Sequence, residues 1–97
     1  MRFEILLAPE AIEDLKQLKA HRRAEVRDAL EKHLRYEPRK ESRSRIKKLK
    51  GLRRPQYRLR VGDIRVFYDV AEAIVEVLAI VAKEGAEEWL ARAASQK

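Results

Sequence analysis

The sequence predicts an α+β domain of order β-α-α-β-β-β-(α), with two N-terminal helices packed on one face of a mostly antiparallel four-stranded sheet. Three features lead there. Residues 2–7 alternate as a strand does, and two segments with helical apolar spacing follow. Three strand-like runs then occupy the second half, at roughly 56–61, 64–70 and 73–81. A single sheet with helices gathered on one side accommodates that order.

The chain has 97 residues, which fits one domain spanning 1–97. It contains no cysteine, so disulfides and thiolate metal sites are excluded, and His21 and His33 stand too far apart to make a metal pair. No metal and no cofactor are expected. No apolar run reaches the roughly 20 residues that span a bilayer, and the opening "MRFEILLAPEAIEDL" turns acidic too early for a signal peptide. A soluble, cytoplasmic protein without membrane contact is the expectation.

Phe3, Ile5 and Leu7 mark the first strand. Pro9 belongs in the first turn of the first helix, where its missing N–H costs nothing, and Ile12, Leu15 and Leu18 share one side. The segment "KAHRR" reads as a polar break. Val26, Ala29, Leu30, His33 and Leu34 give the stripe of a second helix that Pro38 ends. His33 on that stripe is a packed histidine rather than a base, since no acid or nucleophile is spaced to orient it. Residues 39–50, "RKESRSRIKKLK", read as an ordered, exposed basic loop with only Ile46 and Leu49 as anchors, a short strand at its end being an option outside the four expected strands. The last strand, "AIVEVLAIVA", is apolar enough to be central and covered on both faces, with Glu76 needing a partner or an exposed end. Lys83 to Ala94 reads as a short C-terminal helix or a frayed tail, with Trp89 and Leu90 as its docking residues.

The net charge is +7, and its placement is uneven. Residues 35–65 hold 13 Lys/Arg against Glu37, Glu41 and Asp63, whereas the rest of the chain carries 10 Lys/Arg and 13 Asp/Glu. One basic third flanked by mildly acidic segments is the footprint of a polyanionic partner.

The basic third culminates in "RRPQYRLRVGDIRVFYD". A two-residue Gly62-Asp63 turn sets Arg60 opposite Arg65 and Arg58 opposite Phe67. One side of that hairpin is then Tyr57, Leu59, Val61, Ile64, Val66 and Tyr68, and the other is Arg58, Arg60, Arg65 and Phe67. Like charges directly opposed across a ladder cost something like a few tenths to 1 kcal/mol. Three guanidiniums on a rigid sheet can grip phosphate through forked hydrogen bonds. Phe67 among them offers a ring for a nucleobase. The bland alternative is a solvated sheet face shielded by arginine stems. Lys47, Lys48, Lys50, Arg53 and Arg54 extend the same surface as non-specific phosphate attraction.

The string Lys48-Leu49-Lys50-Gly51, then Tyr57-Arg58-Leu59-Arg60, then Arg65-Val66-Phe67-Tyr68 resembles the RelE/ParE superfamily of type II toxins, in its RelE-like branch. The likeness covers nearly the whole chain and implies the RelE-like fold. It implies a toxin that is an mRNA endoribonuclease acting at the ribosome and inhibiting translation. Its partner would be a small, partly disordered, DNA-binding antitoxin, joined to it in a hetero-oligomer. Arg58, Arg60 and Arg65 match the family's phosphate-binding positions and are the expected catalytic residues. Lys47, Lys48, Lys50, Arg53, Arg54, Phe67, Lys83 and Trp89 are the expected RNA-binding residues. The C-terminus departs from the pattern, with Lys83 beside Glu84 and Trp89 where relatives carry a tyrosine. Two alternatives stand beside this reading: a ParE-like poison of DNA gyrase, and a non-catalytic basic module stable only with its antitoxin.

Overall fold

In the computed structural model, residues 1–95 are described. They run β1 (Glu4–Leu7), α1 (Pro9–Gln17), α2 (Ala20–Ala29), β2 (Ile46–Lys48), β3 (Tyr57–Val61), β4 (Ile64–Ala71), β5 (Ile74–Ala82) and α3 (Ala86–Ser95). α2 continues into a π-helical turn at Leu30–Leu34, and a 3₁₀ turn at Lys83–Gly85 leads into α3. The strands form one sheet in the order β1-β5-β4-β3-β2, with β1 parallel to β5 and every other pair antiparallel. No helix among the described residues is long and apolar enough to cross a membrane.

The sheet has five strands where four were expected. The additional strand, β2, comes out of the basic loop because Ile46 is buried and pairs with Leu59. Ser42 closes the preceding turn, its hydroxyl accepting from the N–H groups of Arg45 and Ile46 at 3.1 and 3.3 Å. Three residues with one apolar anchor give almost no alternation to read. β5 is also not the central strand. β4 is, and β5 lies one place in from the β1 edge.

The polar break proves shorter than "KAHRR". Only Lys19 is extended there, and α2 already begins at Ala20. Arg23 makes this tight corner workable: its Nη1 donates to the carbonyls of Leu18 at 2.9 Å and Lys16 at 3.3 Å, groups the end of α1 leaves without helical partners.

The core lies between α1–α2 and the inner sheet face. Leu15, Val26, Leu30 and Leu34 from the helices meet Leu59, Val66, Tyr68, Val75 and Val77 from the strands. Each such aliphatic side chain contributes roughly 1.5–3 kcal/mol when fully buried. Asp14 of α1 patches the sheet where β1 runs out. β1 pairs only as far as Val77, and the Ile80 N–H beyond it donates to Asp14 Oδ2 at 2.9 Å. Burial raises the pKa of that carboxyl, and the Ile80 hydrogen bond opposes the rise.

Tyr68 joins sheet to helix end. Its ring stacks on Tyr57 with centroids 5.4 Å apart, and its buried hydroxyl donates to the Pro38 carbonyl at 2.7 Å. Burial pushes its phenol pKa upward, so it remains a donor. Tyr68→Phe keeps the stack but strands a buried carbonyl. A loss of about 1–3 kcal/mol is expected, read as a lower urea midpoint with unchanged slope.

Candidate anion-binding site on the outer sheet face

Gly62, with φ of +56°, begins the two-residue turn that sets the β3–β4 register. Tyr57 pairs with Tyr68, Arg58 with Phe67, Leu59 with Val66, Arg60 with Arg65 and Val61 with Ile64, as the turn chemistry predicts. The inner row is buried throughout. The outer face receives Arg58, Arg60, Arg65 and Phe67, and β2 adds Lys47, whose register partner is Arg58. Four cations thus share one face.

Their environments differ. Arg60 is exposed. Arg65 is only 8% exposed, and its Nη1 donates to the carbonyls of Gly62 at 2.8 Å and Ile64 at 3.1 Å. Its guanidinium is therefore held against the turn rather than free in solvent. Arg58 is half-buried, and its Nε is buried with no hydrogen-bond partner among the described residues. Burial first, then the charges of Arg65 and Arg60, pushes its pKa below the usual arginine value. A buried, unsatisfied donor beside two like charges is destabilising, and native proteins rarely retain one without a use for it.

The nearest acids are committed elsewhere. Asp69 Oδ2 accepts from Arg54 Nε at 2.6 Å, Asp69 Oδ1 accepts from the Gln56 N–H at 2.8 Å, and Glu76 accepts from Arg54 Nη2 at 3.0 Å. Glu76 thereby finds the partner its place in an apolar strand demands. No side-chain hydrogen bond or ion pair to an acid is made by Arg58, Arg60, Arg65 or Lys47 among the described residues.

The other expected contacts divide. Lys83 lies at the hairpin tip, its N–H donating to the Asp63 carbonyl at 2.7 Å. Lys48 pairs with Tyr57 and so points to the opposite side from Lys47. Lys50 and Arg53 are exposed, and Arg54 is neutralised by its two acids. Phe67 is a correction: it is fully buried, because Trp89 of α3 lies flat upon it with centroids 4.9 Å apart and planes 3° from parallel. Trp89 is likewise committed, stacking there and donating from Nε1 to Glu10 Oε2 at 2.7 Å. Beside it, an open cleft of about 810 Å³ is lined by Glu10, Leu52, Arg53, Pro55, Leu78 and Trp89, among others. His33 is half-buried, with its pKa lowered by burial and by Arg45 and Lys32, and His21 is exposed in α2. Among the described residues no group of three or more His, Asp or Glu is placed to hold a metal ion.

Lys47, expected on this surface, is set opposite Arg58 by the β2–β3 pairing. The unsatisfied Arg58 Nε has no signal in the sequence at all. Both point to an anion. Sulfate is therefore expected to stabilise the protein by about 1 kcal/mol, or roughly 4–8 °C in midpoint, over chloride at equal ionic strength. Arg58→Met should abolish that increment and leave only the general salting-out effect. Equal shifts in both proteins, measured by thermal unfolding, would show that no anion seat exists.

Comparison with known proteins agrees with the sequence and the fold. Residues 5–85 match the model of a family described as the ParE toxin of the type II toxin–antitoxin system parDE. A variant of the toxin RelE from Escherichia coli in its free state superposes with a TM-score of 0.72 at 23% identity, covering 96% of this chain and 95% of that one. The toxin–antitoxin complex RelBE2 of Mycobacterium tuberculosis gives 0.70 at 21% identity, with coverages of 84% and 99%. The archaeal RelE–RelB complex of Pyrococcus horikoshii gives 0.61 at 28% identity, with coverages of 86% and 97%. No curated protein matches the sequence. With the match spanning most of its length, the chain belongs to the ParE toxin family of type II toxin–antitoxin systems, within the RelE/ParE superfamily.

Proposed function

We propose that this toxin is an mRNA endoribonuclease that acts at the ribosome in the cytoplasm and halts translation until a cognate antitoxin binds it. The observation that carries the reading is Arg58: half-buried, with an unpaired Nε, and sharing its face with Arg60, Arg65 and Lys47 but with no acid bonded to any of them. A scissile phosphate on this face would offset the repulsion among these cations and the charge of the half-buried Arg58 guanidinium.

In this mechanism a ribose 2′-hydroxyl attacks the adjacent phosphorus. The 5′-oxygen of the next nucleotide leaves, and a 2′,3′-cyclic phosphate remains. Negative charge grows on the non-bridging oxygens as the phosphorus becomes five-coordinate. Arg60, exposed at the face, donates to those oxygens, and the half-buried Arg58 guanidinium faces them with its charge, while Arg65 adds fixed positive charge from its place against the turn. Because Arg65 is already held by the Gly62 and Ile64 carbonyls, little reorganisation is needed when charge develops. Lys47 draws the strand along β2. His33 belongs to the helical stripe packed on the inner face and has no part in the proton transfers, which fall to solvent or to groups of the ribosome. Electrostatic stabilisation is then the main contribution of the protein.

A second reading follows from the family description itself, which names ParE: the same basic face would engage a complex of DNA and gyrase instead. Expression without antitoxin separates the two. Growth arrest with cleaved transcripts is expected, and Arg58→Ala or Arg60→Ala alone should lower cleavage by about a hundred- to a thousandfold. The triple change at Arg58, Arg60 and Arg65 should be harmless. Intact mRNA during arrest, accompanied by DNA breaks, would overturn the ribonuclease assignment in favour of gyrase.

A further inference from the structure

Phe67 is the one aromatic ring on the four-cation face, and it is covered only because Trp89 lies on it. That cover is lightly held. α3 has ten residues, and none of them is buried. Its hydrogen bond to the rest of the protein is the exposed one from Trp89 Nε1 to Glu10, whereas those of Arg92 and Ser95 stay within the helix. A ten-residue helix is marginal in water, so α3 depends for its position on docking to the sheet through this stack, this bond and the partly buried Leu90 and Ala93. On the side of Trp89 toward the 51–55 loop, the open cleft leaves room for the indole to withdraw.

We propose that Phe67 is a purine-binding subsite, kept shut in the free toxin by Trp89 and opened when an RNA base replaces the indole. The proposal rests on the arginine face being a nucleic-acid seat. Indole and purine are both flat bicyclic rings, so the exchange preserves the stacked area on Phe67. What favours the exchange is its neighbour. Phe67 is the register partner of Arg58, so a nucleotide with its base on the ring brings negative charge beside the Arg58 side chain, which Trp89 cannot do. RNA thus binds the open state better than the closed one, the difference in affinity that any such opening requires. The same cover protects the face from stray aromatic ligands that carry no charge.

Trp89 is the only tryptophan of the chain, so its emission reports the cover without a label. The full chain is titrated with a short 2′-O-methyl oligoadenylate, which cannot undergo the 2′-hydroxyl attack, and with an abasic oligomer of equal length and charge. Binding is followed separately through anisotropy of a 5′-dye. The oligoadenylate is expected to shift Trp89 emission to the red and raise its quenching by acrylamide. The abasic oligomer should bind at least about fivefold more weakly and leave emission unchanged, a stacking contribution at the low end for one base. Glu10→Ala loosens the cover without touching the sheet, and raising the open fraction should tighten oligoadenylate binding about three- to tenfold. Equal affinity for both oligomers with constant emission would overturn the subsite and leave the phosphate seat standing. Absence of binding by either oligomer would overturn both.

Discussion

The arrangement of this toxin follows from a register. Gly62, in the left-handed region, lets the chain reverse in two residues, and that reversal leaves Arg60 opposite Arg65 and Arg58 opposite Phe67. One residue of slip would turn Leu59, Val66 and Tyr68 outward, so the hydrophobic core enforces the same register that crowds the arginines. Burying the inner row is worth several kcal/mol, and opposing two cations costs at most about 1 kcal/mol. The core wins, and the repulsion is carried as a permanent feature of the outer face.

Much of this was legible because strong signals agreed. The β3–β4 pairing rests on a turn dipeptide and on alternation that is clean over both strands, and each fixes the same partners. Pro9 at the start of α1 and the existence of β5 as a strand, though not its place in the sheet, read correctly for similarly local reasons. What escaped was decided by tertiary pairing. Ile46 is a single apolar residue in a run of cations, and nothing local says that it lies against Leu59. Lys19 breaks the helix where a longer polar segment promised the break, because Arg23 supplies side-chain donors to the end of α1 from within α2. Phe67 has the alternation of an exposed residue, and only the return of α3 across the outer face buries it. Alternation says which side of a sheet a residue takes and is silent on what else covers that side.

Acids are not scarce in this protein, which makes their positions informative. There are 16 Asp and Glu residues, enough to pair every cation of the outer face. Two of them, Asp69 and Glu76, sit together on that face and converge on Arg54, with Asp69 the register partner of Glu76. The loop arginine before β3 is thus doubly neutralised, and the β3 arginine four residues later has no acid bonded to it. Arg54 anchors the loop to the sheet, a structural task that needs its charge satisfied internally. Arg58 is desolvated in part and left with a donor unspent.

That contrast sets the energetics of whatever occupies the face. A ligand that brings negative charge gains its own hydrogen bonds and also removes the repulsion among Arg58, Arg60 and Arg65, so its affinity includes strain already present in the free toxin. By linkage such a ligand stabilises the folded toxin it binds, by about 2.7 kcal/mol at a hundred times its dissociation constant. Any anionic chain that reaches this face, nucleic acid or acidic protein segment, competes for one unmet charge. A partner that saturates the arginines would therefore protect the fold and compete with the RNA proposed above for the same face.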